Sequence, residues 1–113
     1  MTLTTEELGD VADVTATALD EVLGGDAFGK FAILTASEGI FLQSGNDWNP
    51  GEECRRFLEQ HRSDPWVLEH GEGGILHRAN GQITIDEVRA AFQSYLIGDD
   101  MWRQRYDWTE WHY

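Results

Sequence analysis

Cysteine is nearly absent from this chain of 113 residues, which contains only Cys54. A single thiol permits neither an intramolecular disulfide nor a zinc site built from cysteines. Long apolar runs are also lacking, because the longest, residues 31–34, is far too short to cross a bilayer. The first residues carry neither the basic segment nor the apolar segment of a signal peptide. We therefore expect a protein without a membrane segment, in a reducing compartment such as the cytoplasm.

Basic residues are scarce, and they are unevenly distributed. Eight Lys and Arg stand against 21 Asp and Glu, which gives a formal net charge of −13 at pH 7. Residues 1–54 contain 11 acids and one base, Lys30, whereas residues 55–113 contain ten acids and seven Arg. Such a field repels nucleic-acid phosphates and anionic lipid, and it attracts a basic protein. We therefore expect a basic protein partner and no direct binding to nucleic acid or membrane, unless the acidity serves only solubility.

Catalytic signatures are missing as well. No Gly-x-Ser-x-Gly motif occurs, and neither glycine-rich stretch, 24–25 or 71–74, continues into the Lys-Ser or Lys-Thr of a phosphate-binding loop. Cys54 has acidic and arginine neighbours, which together do not mark an activated thiolate. The four histidines lack metal-ligand spacing, although His70 and His77 are expected on one sheet face. We predict no catalytic residue, cofactor or metal site, and a metal-dependent enzyme using His70 and His77 stays as an alternative.

A helix is predicted near the N-terminus. Thr4 and Glu7 have the spacing of a capping box, and apolar residues then recur at three- and four-residue steps. Gly24-Gly25 is expected to stop the helix. The outer face of this helix is expected to present a row of four acids to solvent: Glu6, Asp10, Asp13 and Asp20. This row is the most ordered concentration of negative charge that the sequence predicts.

The middle of the chain has the pattern of two β-hairpins separated by a helix. Short apolar runs bounded by turn residues indicate the strands. The predicted elements are strands at 31–35 and 40–43, a loop at 44–51, a helix at 52–61, and strands at 66–70 and 75–79. A second capping box, formed by Thr84 and Glu87, starts a last helix that is expected to end at Gly98.

The order of these elements is α-β-β-α-β-β-α, which predicts an α+β domain. Hairpins, as opposed to alternating βα units, imply an antiparallel sheet of about four strands with two to three helices packed on it in two layers. Residues 1–113 are expected to form a single domain, because a chain of this length has no room for two cores. An aromatic C-terminal tail begins at about residue 101.

Aromatic residues are concentrated in that tail, where five of the last twelve residues are Trp or Tyr. Trp102 and Tyr106 lie four residues apart and are expected to join the core. Trp111 and Tyr113 are expected at the surface as binding anchors, because Trp and Tyr are enriched among the residues that dominate interfaces. If the tail is instead an interface between copies of the chain, the protein is a homodimer or a larger homo-oligomer.

From about residue 31 to residue 108 the chain resembles small bacterial immunity proteins of toxin systems. The resemblance rests on four features: the first hairpin, Glu69 in the second hairpin, Thr84-Ile85-Asp86-Glu87-Val88 leading to Gly98-Asp99, and Trp102 with Asp107-Trp108. It implies a bacterial, non-enzymatic inhibitor of a toxin, and it brings no set of catalytic residues.

These observations together predict an acidic inhibitor that blocks the active cleft of a basic toxin. Nucleases are natural targets, since a cleft shaped for phosphates is cationic. The candidate partner-binding residues are acids of the first helix and of the region that follows the first hairpin, together with exposed aromatic residues: Glu6, Asp10, Asp13, Asp20, Asp47, Trp48, Glu52, Glu53, Trp111 and Tyr113. A protein of a phage or mobile element that mimics DNA to block a defence complex would use the same charge and stays as an alternative.

Overall fold

The computed structural model describes residues 1–25 and 28–112, and all elements below belong to this part of the chain. It contains seven strands and four helices. The strands are β1 (Thr2–Thr5), β2 (Gly9–Val11), β3 (Phe31–Ser37), β4 (Ile40–Asn46), β5 (Trp66–Glu72), β6 (Ile75–Ala79) and β7 (Trp108–Glu110). The helices are α1 (Ala16–Gly24), α2 (Glu52–His61), α3 (Ile85–Ile97) and α4 (Met101–Gln104).

All seven strands form one antiparallel sheet in the order β2-β1-β3-β4-β5-β6-β7. Strands that follow each other in the chain are neighbours in the sheet, except that β1 lies between β2 and β3. The predicted α+β class with an antiparallel sheet is therefore confirmed. The prediction of about four strands is wrong, because β1, β2 and β7 extend the two hairpins at both edges. The element order accordingly begins β-β-α and ends α-α-β, where the sequence predicted a single α at each end. The prediction of two to three helices is also wrong, because α4 adds a fourth.

The predicted capping box at Thr4 does not start a helix. Residues 2–5 form β1, which pairs with β3, and the Thr5 hydroxyl accepts the backbone N–H of Leu8 in the turn that follows. Leu3, which directly precedes the predicted helix start, is completely buried in the sheet. The capping signal is local, whereas the burial of Leu3 depends on pairing with β3, and the long-range contact outweighs the local preference.

The first helix is therefore shorter than predicted, although its end is where the sequence placed it. Helix α1 begins at Ala16, and the Thr15 hydroxyl accepts the backbone N–H of Ala18 as the N-cap. The helix ends at Gly24, with Gly25 as the C-cap. The apolar residues that recur after the predicted capping box thus belong to a strand and a loop before they reach the helix.

The central elements are confirmed by the structure, although β4 runs to Asn46 and β5 to Glu72, so the loop predicted at 44–51 begins only after Asn46. Both hairpins are present, and α2 spans the predicted residues 52–61. The capping box of α3 is complete, because the Thr84 hydroxyl accepts the backbone N–H of Glu87 and the Glu87 carboxylate accepts the backbone N–H of Thr84. Gly98 has a φ of 84°, the left-handed conformation that ends a helix at low cost when the residue is glycine. Local signals succeed here because tertiary contacts agree with them.

One face of the sheet, called the covered face here, packs against α1 and α3. The register places one set of strand side chains on this face, and they are buried: Leu3, Ala32, Leu34, Leu42, Leu68 and Ala79. Helix residues complete the same apolar cluster, among them Leu19, Leu23, Val88 and Phe92. Within residues 1–25 and 28–112, no helix is both long and apolar enough to cross a membrane.

The C-terminal tail folds back over the covered face, next to β6. Strand β7 pairs with β6, and the Trp108 indole N–H donates to the carbonyl of Arg103 at 2.8 Å. Trp102 is buried, which confirms its expected place in the core. Tyr106 is half-buried against the same cluster, and its hydroxyl donates to the Glu87 carboxylate. Helix α4 and β7 thus seal one end of the core.

Candidate functional site

The other face of the sheet, called the open face here, carries side chains that lie outside the apolar core. Alternation along the strands puts on it, among others, Phe31, Ile33, Phe41, Gln43, Val67, Glu69, Leu76 and Arg78. All of them except Glu69 keep part of their surface accessible to solvent. A sheet face that shows half-exposed aromatic and aliphatic residues is a candidate binding surface.

An ion pair between buried Glu69 and partly exposed Arg78 occupies the middle of the open face. Glu69 is only 5 % exposed, and its Oε2 accepts from Nε of Arg78 at 3.0 Å and contacts Nη2 at 2.9 Å. Its Oε1 accepts from Nε2 of Gln43 at 2.9 Å. The Arg78 guanidinium also lies 3.8 Å from the centroid of the Trp111 ring. The ion pair therefore compensates the burial of Glu69 and holds Trp111 against the face.

Two depressions flank this ion pair. The first depression has a volume of about 290 Å³ and is lined by Phe31, Ile33, Gln43, Gly45 and Glu69, among others. The second depression has a volume of about 280 Å³, and its lining includes Asp47, Val67, Gln82 and Trp111. Each depression combines an aromatic ring with a carboxylate.

Two glycines of the open face differ in what lies above them. Gly71 pairs with Phe41, and a Cβ at Gly71 would overlap with atoms of the Phe41 ring. Gly45 pairs with Phe31 and Val67, yet a Cβ at Gly45 would have no atom within 4 Å. The Phe41 ring thus fills the space over Gly71, whereas the space over Gly45 stays open as the floor of the first depression.

The second depression is bounded by the loop between β4 and α2. The Asp47 backbone N–H donates to the carbonyl of Pro65 at 2.9 Å, and its carboxylate accepts from Nε2 of Gln82 at 2.7 Å. The backbone N–H of the next residue, Trp48, donates to Oδ1 of Asn46 at 2.8 Å. These hydrogen bonds fix the loop, which presents the exposed Trp48 side chain directly after Asp47.

Glu52 and Glu53 follow in the first turn of α2, where both are exposed. Negative charge at this end of a helix is favourable in its own right, because the backbone N–H groups there carry partial positive charge. Glu52 also forms an exposed ion pair of 3.3 Å with Arg56 one turn along. The position of these two acids is therefore explained by helix stability, whether or not they contact a partner.

The acids predicted to form a row on the first helix do not form one. Glu6 lies in the β1–β2 turn and accepts the backbone N–H of Lys30, and Asp10 lies on β2 and accepts the Thr4 hydroxyl. Asp13 has a left-handed φ of 51° in the loop before α1. Only Asp20 is helical, so the predicted row is wrong for the same reason as the predicted helix start.

Among the predicted partner-binding residues, the structure brings Asp47 and Trp111 together at the second depression. Trp111 is 37 % exposed, in agreement with its expected surface position. The acids near β2 lie at the opposite edge of the sheet from β7, and Tyr113 lies outside the described residues. The alternation that predicts His70 and His77 on one sheet face also predicts Glu69 and Arg78 on the other, but the sequence marked no site there. Gln43 and Gly45 were not predicted as site residues, because their proximity to Glu69 depends on the pairing of β4 with β5.

His70 and His77, the residues of the alternative enzyme hypothesis, pair directly across β5 and β6, and their rings stack at 4.8 Å. Trp102 and Trp108 meet His70 edge to face. Burial lowers the pKa of His70 from 6.5 to about 4; Glu72 opposes this effect, whereas His77 and Arg103 add to it. The pair is thus packed among aromatic rings on the covered face.

His70 and His77 line neither of the two depressions of the open face. In residues 1–25 and 28–112, no group of three or more His, Cys, Asp or Glu side chains is placed to hold a metal ion. Within the same residues, Nδ1 of His70 is buried without a hydrogen-bond partner. This Nδ1 atom lies 3.9 Å from Oε1 of Glu72. The arrangement therefore offers the chemistry of a buried neutral imidazole.

Comparisons with protein-family models, with curated proteins and with solved structures found no match to this chain. The resemblance to immunity proteins therefore remains a prediction from the residues quoted for it. Any functional conclusion has to come from the geometry and charge of the open face and its rim.

Proposed function

We propose that this chain is a non-enzymatic, acidic binding protein of the immunity type, which inhibits a basic protein toxin by blocking its active cleft. The observation that carries the proposal is the second depression, where Asp47 from the β4–α2 loop and Trp111 from the tail line one site although they lie far apart in sequence. A carboxylate next to a half-exposed indole, with the exposed Trp48 directly after Asp47 in the chain, is a suitable anchor for a cationic protein surface.

The size of the open face supports this use. A stable protein interface takes about 800 Å² from each partner. The molecule measures 38 × 30 × 24 Å, so a footprint of that size covers much of one face of the sheet. A partner centred on the Glu69–Arg78 ion pair would therefore cover both depressions at once. Glu69 is already buried and hydrogen-bonded, which lowers the cost of covering it further.

Charge supports a basic partner in particular. The net charge of −13 steers a cationic protein toward this chain and disfavours direct contact with nucleic acid or membrane. A nuclease fits this description, because its cleft is cationic. We place the inhibitor and its target in the bacterial cytoplasm. The DNA-mimic alternative would be favoured by regularly spaced acids, and the four acids expected to supply them come from a turn, a strand, a loop and a helix.

The test uses the product of the reading frame next to that of this chain, with both proteins purified. We expect the chain to abolish the activity of its neighbour at a ratio of one to one, with an association rate that falls steeply as salt rises. Absence of binding, or binding that leaves the activity intact, would contradict the proposal. An association rate insensitive to salt would remove its electrostatic part.

Two exposed apolar residues provide matched variants. Trp111→Ala is expected to weaken binding about 30-fold or more, the size of a hot-spot loss. Ile97→Ala, at the end of α3 on the helix layer, removes a side chain that is 68 % exposed and is expected to leave affinity unchanged. Equal effects of the two substitutions would argue against docking through the open face. Sedimentation of the chain alone tests whether it instead uses the tail to form a homodimer.

A further inference from the structure

We propose that the strap, defined as residues 108–111 with β7 and Trp111, detaches from β6 when His70 takes up a proton. Detachment removes Trp111 from the open face, while strands β1 to β6 stay folded. The binding surface thereby becomes sensitive to acid, and this consequence rests on the proposed function, in which Trp111 anchors the partner. Trp108 connects the two events, because its ring lies against His70.

The strap contributes to both faces of the sheet, although β7 is only three residues long. The Trp108 ring meets the His70 ring edge to face on the covered face, with 4.6 Å between the ring centroids. The next residue, Thr109, pairs with Arg78, whose guanidinium lies 3.8 Å from the centroid of the Trp111 ring on the open face. One short strand thus carries both rings, so displacement of Trp108 from His70 also loosens the seat of Trp111.

The strap lies at an edge of the sheet, where opening costs least. Among the described strands, β7 is an edge strand of three residues, whereas β3 and β4 are seven residues long and lie inside the sheet. Backbone pairing continues just past β7, because the Trp111 N–H donates to the carbonyl of Leu76 at 2.8 Å. Short edge elements open locally at lower free energy than core strands. The strap can therefore detach without unfolding of the sheet.

The packing of His70 favours its neutral form. The residue is 5 % exposed, and its Nδ1 has no hydrogen-bond partner within residues 1–25 and 28–112. In the protonated imidazole both ring nitrogens are donors, so Nδ1 then requires an acceptor. A buried donor without an acceptor is costly. Displacement of Trp108 admits water to this position, and water supplies the missing acceptor.

The charged and titratable groups around His70 belong to five of the described elements: Glu72 of β5, His77 of β6, Tyr95 of α3, Arg103 of α4 and, opposite His77, Glu110 of β7. His77 and Arg103 disfavour a positive charge on His70, whereas Glu72 favours one. Oε1 of Glu72 lies 3.9 Å from Nδ1 of His70, and the same oxygen forms the ion pair with Arg103. A protonated His70 therefore competes with Arg103 for Glu72, which weakens the contact of α4 with β5 next to the strap.

The pKa of His70 sets the direction and the size of the expected effect. Burial lowers this pKa from 6.5 to about 4 in the attached form, and exposure to water on detachment returns it toward 6.5. The detached form therefore takes up the proton first as the pH falls, and acid favours detachment. The ratio of detached to attached strap is expected to rise about tenfold per pH unit between pH 6.5 and 4.

Backbone hydrogen exchange of the whole chain measures this ratio. The Trp111 N–H, which is bonded to Leu76, exchanges when the strap is detached, and its protection factor corrects for the intrinsic dependence of exchange on pH. We expect this factor to fall about 100-fold from pH 6.5 to pH 4.5. It should stay below the protection factors of the β3 and β4 amides at every pH, because those amides require opening of the core.

Two pairs of variants test the roles of His70 and Trp108. His70→Leu removes the group that takes up the proton and is expected to abolish the fall, whereas His112→Gln, at a side chain that is 80 % exposed, should keep it. Trp108→Leu uncovers His70 and is expected to lower the Trp111 protection factor already at pH 6.5. It should also raise the pKa of His70 toward 6.5, as followed by NMR titration. Trp48→Leu, at an exposed Trp of the β4–α2 loop, is the matched control and should change neither quantity.

Three results would overturn the proposal. A fall of the same size in His70→Leu would assign the effect to carboxylates. A protection factor that stays constant in the wild type would show that acid does not detach the strap. Equal protection factors for Trp111 and for the β3 and β4 amides would show that the whole sheet opens at once.

Binding of the product of the neighbouring reading frame separates the strap from the proposed function. We expect the affinity of the wild type to fall from pH 7 to pH 5 and that of His70→Leu to be kept. An equal fall in both proteins would refute control of binding by the strap and leave the proposed function standing. Absence of binding at pH 7, together with the 100-fold fall at Trp111, would refute the proposed function and support the strap.

Discussion

Two adjacent residues of β5, Glu69 and His70, are equally buried on opposite faces of the same sheet. Each is 5 % exposed, and each carries a polar group. On the open face, Arg78 and Gln43 bind both oxygens of the Glu69 carboxylate. His70 on the covered face has Nδ1 without a hydrogen-bond partner among the described residues, and burial lowers its pKa to about 4. Equal burial therefore goes with very different hydrogen bonding on the two faces.

The difference follows from what surrounds each residue. Glu69 has a cation directly across the strand pair, at Arg78, and a neutral donor on the other side. His70 has another histidine across the strand pair and two tryptophans against its ring. Burial disfavours a positive charge on His70, His77 and Arg103 add to this effect, and Glu72 opposes it, so the imidazole stays neutral near pH 7.

The largest expected effect comes from removing the cation from Glu69. Arg78→Leu leaves a buried carboxylate without its ion-pair partner and is expected to cost about 3–5 kcal/mol in the free energy of unfolding. Urea denaturation of the variant and the wild type measures this difference. Gln43→Leu, which removes a neutral hydrogen bond to the same carboxylate, is expected to cost only about 1 kcal/mol. A loss below about 1 kcal/mol for Arg78→Leu would show that solvent screens the pair.

The next effect concerns His70 and appears on acidification. The folded pKa of about 4 lies below the ordinary value of 6.5, so the unfolded chain takes up a proton first as the pH falls. The contribution of the neutral imidazole is complete above pH 6.5, is lost between pH 6.5 and 4, and amounts to about 3 kcal/mol. Denaturation midpoints measured from pH 7 to pH 4 test this.

Two histidine variants separate the effect of His70 on acid stability from the effect of carboxylates that are protonated at low pH. His70→Leu should flatten the decline between pH 6.5 and 5, whereas His112→Gln, at a side chain that is 80 % exposed, should leave the profile unchanged. If His70→Leu gives a profile parallel to the wild type, the low pKa of His70 does not govern acid stability.

A smaller effect is expected at the two glycines, and it sharpens the description of the open face. Gly71→Ala forces the Phe41 ring to move and is expected to destabilise the fold by about 1–3 kcal/mol. Gly45→Ala enters open space on a strand and is expected to stabilise it by about 0.4–1 kcal/mol, since the unfolded chain loses freedom. Thermal unfolding of both variants measures the two changes in stability. If Gly45→Ala destabilises the protein as Gly71→Ala does, the first depression is closed in solution.

The contrast between Thr84 and Thr4 shows how far the sequence predicts this fold. Both residues begin the same capping pattern, but only Thr84 starts a helix, because its neighbours Ile83 and Val88 are buried in the same core. Thr4 belongs to a strand whose partner begins at Phe31, and no local pattern contains that information. Strand β7 was missed for the same reason, since it exists only through its pairing with β6.

The candidate site was predictable to a similar extent. Alternation in the second hairpin was enough to put Glu69 and Arg78 on one face. Exposure of Trp111 also followed from its place in a tail rich in aromatic residues. The meeting of Asp47 with Trp111 was not predictable, because the strand order has to place the β4–α2 loop next to β7. The depression over Gly45 likewise depends on the register of three strands.

The two edge strands of the sheet have a consequence for how the protein behaves at high concentration. Exposed edges of a sheet invite other chains to add strands, and this is a common start of aggregation. In the described residues the edges are β2 and β7, each only three residues long, and each carries an acid at its centre or end: Asp10 and Glu110. Such edges give an incoming strand few hydrogen bonds and a repulsive charge. The apolar, half-exposed open face can therefore remain available without the sheet polymerising edge to edge.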